Sequence, residues 1–220
     1  MHAARPITAN TQMVHRLLER RQSVEIRPVR WPDAAERREP DPSLFRIEAS
    51  LADGTLGVRR RHDQALAGEV QCHLGRAGDL LWVREALCVP RRASRRARLT
   101  SFAADADPFV RASSRIQRPI KMRREDSRLT LEITRAEPMP LRAVSDAAIR
   151  ASGAIGEDGS GGQPLTPDQV EEFRACWDGY WQFHDEACLS ANNPWVWVIS
   201  FEVIEANVRD VQRRLRVEAA

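Results

Sequence analysis

The feature that most constrains this chain is the run Trp195-Val196-Trp197-Val198-Ile199-Ser200-Phe201-Glu202-Val203-Ile204. Successive side chains of an extended segment point to opposite faces. Trp195, Trp197, Ile199, Phe201 and Val203 therefore share one face, and Val196, Val198 and Ile204 dominate the other. A strand that is apolar on both sides needs both sides covered, so the run predicts a central strand in a sheet packed between layers. Helices to cover it are legible as well. Thr166-Pro167-Asp168-Gln169 is a capping box with proline at the first helical position, followed by a stripe of Val170, Phe173, Trp177 and Tyr180 or Trp181.

The remaining elements follow from period and punctuation. Asn10 or Thr11 caps a helix in which Met13, Val14, Leu17 and Leu18 recur at helical spacing. The period then changes to two: in Ser23-Val24-Glu25-Ile26-Arg27 the apolar Val24 and Ile26 point one way and the polar triplet the other, with Pro28 limiting continuation. Leu44–Ala49 and the segment around Asp53-Gly54 predict a hairpin. A glycine-bearing turn at 75–79 feeds the strand-type run Leu80-Leu81-Trp82-Val83-Arg84. Leu129, Leu131 and Ile133 alternate with Thr130, Glu132 and Thr134 as in a half-buried strand, and Ser145 caps a short helix that stops near Gly153. Helices and strands without a βαβ repeat give an α+β fold.

Composition sets the boundaries. At 220 residues and 42% hydrophobic side chains the chain can bury a sizeable core, and a single domain over 5–205 with a tail at 206–220 is expected. No apolar run is long enough for a membrane helix and the N-terminal residues lack a signal-peptide block, so a cytoplasmic, soluble protein with no membrane partner is expected. Cys72, Cys88, Cys176 and Cys188 form no C-x-x-C pair, and read as reduced thiols, mostly in the core. His62, His73 and His184 have no second ligand at metal spacing; neither a metal nor a cofactor is called for. The net charge of +3 hides a block from Arg84 to Arg128 with thirteen Arg or Lys against five Asp or Glu, a local excess of eight. Its segment of about 89–119 lacks periodicity and reads as an arginine-rich insertion or loop; 152–164 is rich in glycine and acid and reads as a flexible loop. Such a basic block attracts polyanions, because each neutralised phosphate releases a counterion. A solvated arginine-rich surface is the competing reading.

Four segments, in this order, resemble the ASCH domain of the PUA-like superfamily, in the version found in phage and prophage proteins. RPITANTQMVHRLLERRQSVEIRPV is similar to that group's opening helix and following Gly-Lys-Lys-Thr-x-Glu-x-Arg-type motif. CHLGRAGDLLWVREA carries its glycine-aspartate turn and LWVRE strand, and IKMRREDSRLTLEIT its segment with Met122 and Ser127-Arg128-Leu129. FRACWDGYWQFHDEACLSANNPWVWVISFEVI resembles the closing helix and NPWVWV strand. The resemblance implies a small, strongly bent mixed β-barrel with surrounding helices and a cleft, in a superfamily that mostly binds RNA or modified bases. Some small ASCH proteins are amidohydrolases acting on N4-acetylcytidine, and their lysine is similar in position to Gln22 here, their glycine to Arg20, and their threonine to Glu25. Glutamine has no ionisable nitrogen and cannot act as base or nucleophile.

The implied cleft rim contains Arg21, Gln22, Ser23, Glu25 and Arg27. Glu25 and Arg27, two apart on one strand face, can offer an acceptor and a forked donor to a base edge or phosphate; the alternative is a surface ion pair. Arg84 and Glu85 end a buried strand, where a charge needs a ligand or an internal partner such as Arg27 or Arg128. Trp82, Trp177 and Trp197 fall on apolar stripes and read as core, whereas Trp195 follows Asn193-Pro194 at a strand entrance, and Asn193 can read a base through its amide. These residues point to binding of RNA, another single-stranded nucleic acid or a modified nucleotide. The competing classes are a hydrolase, either an amidohydrolase on an N4-modified cytidine or a ribonuclease, using Glu25 or Glu85, and a phage-encoded interaction protein.

Overall fold

The structure, a computed structural model, describes residues 3–31, 39–50, 55–90, 101–156 and 163–218. It is α+β, and it divides into two compact units that interleave in sequence: Met1–Gln22, Gly78–Ile133 and Glu202–Ala220 form one, Ser23–Ala77 and Thr134–Phe201 the other. No linker announces this division. Both later boundaries fall inside strands, β10 (Thr130–Pro140) and β11 (Trp195–Ile204), which continue from one unit into the other. Among the described residues the strands form open sheets and close no barrel.

In the first unit, β1 (Ala4–Thr8) runs parallel to β6 (Leu80–Arg84), which pairs antiparallel with the start of β10, so the sheet is mixed. Gly78 makes the sharp entry to β6 at φ 84°, a left-handed conformation open to glycine, and its N–H donates to the Ile133 carbonyl at 2.7 Å. Asp79 next to it accepts from the Ala3 N–H and pairs with Arg5 at 2.9 Å, fixing β1 against β6. Helix α1 (Thr11–Leu18) is capped by Asn10, whose side chain accepts from the Met13 N–H, and it buries Met13, Val14 and Leu17. Helix α5 (Val208–Glu218) places Val208 and Val211, one turn apart, against Leu80 and Trp82, so the segment expected as a tail is part of the core.

The arginine-rich segment is likewise structured where it is described. β7 (Leu87–Pro90) pairs antiparallel with β8 (Ser101–Phe102) on one side and β9 (Ser114–Gln117) on the other, and Asp107 caps the short helix α2 (Pro108–Ser113) between them. Strands of two and four residues are too short to carry a period, which is why the sequence reads as a loop there.

The second unit is built on β2 (Val24–Pro28) paired antiparallel with β11, covered by α3 (Asp146–Ala151) and α4 (Pro167–Trp181). Val24, Ile26, Val196 and Val198 meet Ile149, Ile155, Phe173 and Trp177 in one core cluster. Thr166 makes the expected reciprocal capping box with Gln169. Ile155, within the segment expected as a flexible loop, is buried in that cluster, and Gly156 donates to Glu172 at 3.1 Å; the acidic and glycine-rich part of that loop, 157–162, lies outside the described residues. β3 (Phe45–Ser50), β4 (Thr55–Arg60) and β5 (Leu66–Gln71) form an antiparallel meander burying Leu56, Val58 and Val70. The first two strands are the expected hairpin, although its Asp53-Gly54 turn lies outside the described residues. Three cysteines are buried and Cys176 is exposed. No helix among the described residues is long and apolar enough to cross a membrane.

Candidate functional site

The register of β2 against β11 decides which side chains meet. Val24, Ile26 and Pro28 oppose Ser200, Val198 and Val196, and this face carries the core cluster under α3 and α4. Period two then sends Glu25 and Arg27 to the other face, opposite Ile199 and Trp197. Both are half-withdrawn from water: the Arg27 guanidinium donates to Glu25 at 2.7 Å with side-chain exposures of 26% and 12%. The pair is thus more buried than a surface ion pair, and desolvation makes its charges more expensive and its hydrogen bonding more directional.

Trp197 lies directly across from Arg27 and is fully buried, yet its indole N–H has no hydrogen-bond partner among the described residues. A buried donor left unsatisfied costs about 1–3 kcal/mol. Two residues along β11 on the same face, Trp195 is half-buried and bonds through its side chain and backbone to the Glu39 carboxylate. One strand pair thus gathers a carboxylate acceptor, a guanidinium donor and a single unsatisfied indole donor. Donors beside an acceptor are the complement of a nucleobase amide edge, in which a ring N–H adjoins a carbonyl.

The other expected residues take different places. Asn193 belongs to this unit but adopts a left-handed conformation (φ 49°) at the end of a turn, and its side-chain oxygen accepts from the Arg142 N–H at 2.8 Å, so its carbonyl is already used in holding that turn. Ser23 joins strand to helix through its backbone, donating to Ala151 and accepting from Phe201. Arg21 is exposed and paired with its neighbour Glu19, and Gln22 is 2% exposed with its oxygen accepting from the Arg16 Nε at 3.1 Å. Both lie in the first unit with Arg84, Glu85 and Arg128. Arg20 has φ 56°, the conformation for which the glycine of the resembled motif is suited, and its guanidinium donates to the Val203 carbonyl.

Arg84 stacks over the Trp82 ring at 4.7 Å. Glu85, 2% exposed, gives both carboxylate oxygens to Arg128 at 2.9 Å each, while Arg128 also binds Asp105 and lies over the Phe102 ring at 4.0 Å. Burial pushes the Glu85 carboxyl above its ordinary value, against the opposing pull of Arg128. Arg128 is itself desolvated, but its hydrogen bonds to Glu85 and Asp105 hold it protonated. This cluster is the internal ion pair that a charge at the end of a buried strand requires. The sequence supplies no sign of Asp105 as a third member, nor of the role of Trp197, whose position opposite Arg27 depends on a strand register.

No protein-family model matches the chain, and no curated protein or solved structure matches it either. Among the described residues no three His, Cys, Asp or Glu side chains are grouped to hold a metal ion.

Proposed function

We propose that this chain is a PUA-like protein of ASCH type that binds nucleic acid or a modified nucleotide, RNA or another single strand foremost, with a base seated on the β2–β11 face. The observation that carries the reading is the juxtaposition of the half-buried Glu25–Arg27 pair with the unsatisfied indole N–H of Trp197. A carbonyl oxygen arriving there satisfies a donor that has no partner among the described residues, and Glu25 accepts from the adjacent ring N–H or exocyclic amine. The resemblance of residues 18–27 and 193–198 to the ASCH motifs supports the same assignment. Asn193 does not contribute its amide oxygen to this proposal, since that oxygen holds the Arg142 N–H.

The test is a fluorescence titration of the full chain with cytidine and uridine monophosphates and a short single-stranded oligoribonucleotide, using the intrinsic tryptophan emission. Quenching that saturates in the wild type and is lost in Glu25→Gln supports the reading. Unchanged affinity in Glu25→Gln, Arg27→Gln and Trp197→Phe together overturns it.

A further inference from the structure

Of the thirteen cations between Arg84 and Arg128, five lie at 91–98 outside the described residues and eight are described. Four of the eight are engaged: Arg84 over Trp82, Arg123 with Asp126 and Glu125, Arg124 with Gln212, and Arg128 with Glu85 and Asp105. The remaining four, Arg111, Arg115, Arg118 and Lys121, are exposed, and among the described residues their side chains make no ion pair or hydrogen bond. They follow one another through α2, the edge strand β9 and the short turn after it, a stretch from Pro108 to Lys121 without a single Asp or Glu. The same stretch exposes Phe109 at 81% and Ile120 at 65%.

Internal ion pairs neutralise a cation's field; these four retain theirs. Unpaired cations spaced along an exposed chain segment suit a flexible polyanion, and an aromatic ring 81% exposed among them offers a stacking surface to an unpaired base. An acidic protein surface would use the charges but not require the ring. We propose that the α2–β9 surface is a backbone-tracking site for single-stranded polynucleotide, in which Arg111, Arg115, Arg118 and Lys121 hold phosphates and Phe109 stacks a base. It rests on the nucleic-acid reading above but uses residues of the other unit, so the two can fail separately.

Single-strand binding loses about 0.7 in the slope of log affinity against log salt for each phosphate contact removed, so neutralising four cations lowers the slope by about 3. Oligonucleotide affinity is measured across a salt series for wild type, the fourfold variant Arg111→Gln/Arg115→Gln/Arg118→Gln/Lys121→Gln, the charge-keeping triple variant Arg111→Lys/Arg115→Lys/Arg118→Lys, and Phe109→Ala. The expected result is a slope reduced by about 3 in the fourfold variant and retained in the lysine variant. Phe109→Ala loses affinity by about fivefold or more at unchanged slope. Nucleoside monophosphate binding, read by tryptophan quenching, stays as in wild type throughout. A slope equal in wild type and fourfold variant overturns the surface assignment while leaving the base site standing; a wild type that binds no oligonucleotide and no monophosphate overturns both. A fourfold variant that loses the slope while Phe109→Ala binds as wild type overturns the stacking role and makes the surface a site for polyanions in general.

Discussion

Arg27 and Trp197 face each other across the β2–β11 ladder, one holding Glu25 at 2.7 Å and the other burying an indole N–H with no partner among the described residues. A polar group kept unsatisfied in a fully buried position is a cost that neither packing nor secondary structure requires, since phenylalanine would fill much of the same space.

Trp197→Phe tests that cost directly. It deletes the orphan donor and part of the ring, so the loss of packing is offset by about 1 kcal/mol or more from the removed donor, and the fold is left close to its original stability. Nucleotide binding weakens, because a carbonyl ligand loses its donor. Thermal melts read beside the fluorescence titration check both halves. A large drop in melting temperature with binding intact would make Trp197 a packing residue only.

The two faces of β2 respond oppositely to charge. Val24 is 7% exposed in the cluster with Ile149, Phe173 and Trp177, so Val24→Asp costs several kcal/mol, on the order of 3–5, by burying an unpaired carboxylate. Arg27→Ala leaves Glu25, 12% exposed, without its guanidinium and costs about 1–3 kcal/mol, less than the core substitution but not negligible. Urea denaturation of the two variants ranks them; Arg27→Ala costing more than Val24→Asp would mean that the ion-pair face is the more tightly packed one.

Gln22 occupies the position that resembles a catalytic lysine, and it is buried with its oxygen accepting from Arg16. Gln22→Lys therefore buries an ammonium beside a guanidinium and lowers stability by several kcal/mol, about 3 or more. Neither the wild type nor this variant deacetylates N4-acetylcytidine, as chromatography of the products will register; turnover by the wild type would place the chemistry on a group other than residue 22.

How much of this was legible depends on length scale. The Asn10 and Thr166 caps, the α4 stripe and the doubly apolar β11 were readable because capping and periodicity are local. The division of Val24 and Ile26 from Glu25 and Arg27 was readable for the same reason, and it holds in β2. β8 and β9 were not, being shorter than any period, and α5 lies in the segment expected as a tail although Val208, Val211 and Leu215 recur at helical spacing. The two interleaved units were invisible because two of their boundaries fall within the continuous strands β10 and β11. In the site, what the sequence could not supply was pairing: that Arg27 opposes Trp197, that Asn193 spends its oxygen on Arg142, and that Glu85 and Asp105 share Arg128.

The Glu85 cluster carries a sign that can be measured. Burial raises the Glu85 carboxyl above its ordinary value, with Arg128 opposing and Asp105 adding to the rise. The folded state then holds the proton more tightly than the unfolded state, so this group's contribution to stability is full below the ordinary carboxylate range and is lost as pH rises through the raised folded value. Arg128 stays protonated throughout and Asp105 and His15 are the other charged or titratable groups acting on Glu85, so a variant that keeps them isolates the effect. Glu85→Gln keeps the size and removes the titration. The stability of wild type relative to Glu85→Gln should be highest at acid pH, decline as pH climbs out of the ordinary carboxylate range, and level off above the raised folded value, in denaturant melts run at closely spaced pH. A difference that instead grows with pH would mean that Arg128 outweighs burial and that the Glu85 carboxyl is depressed rather than raised.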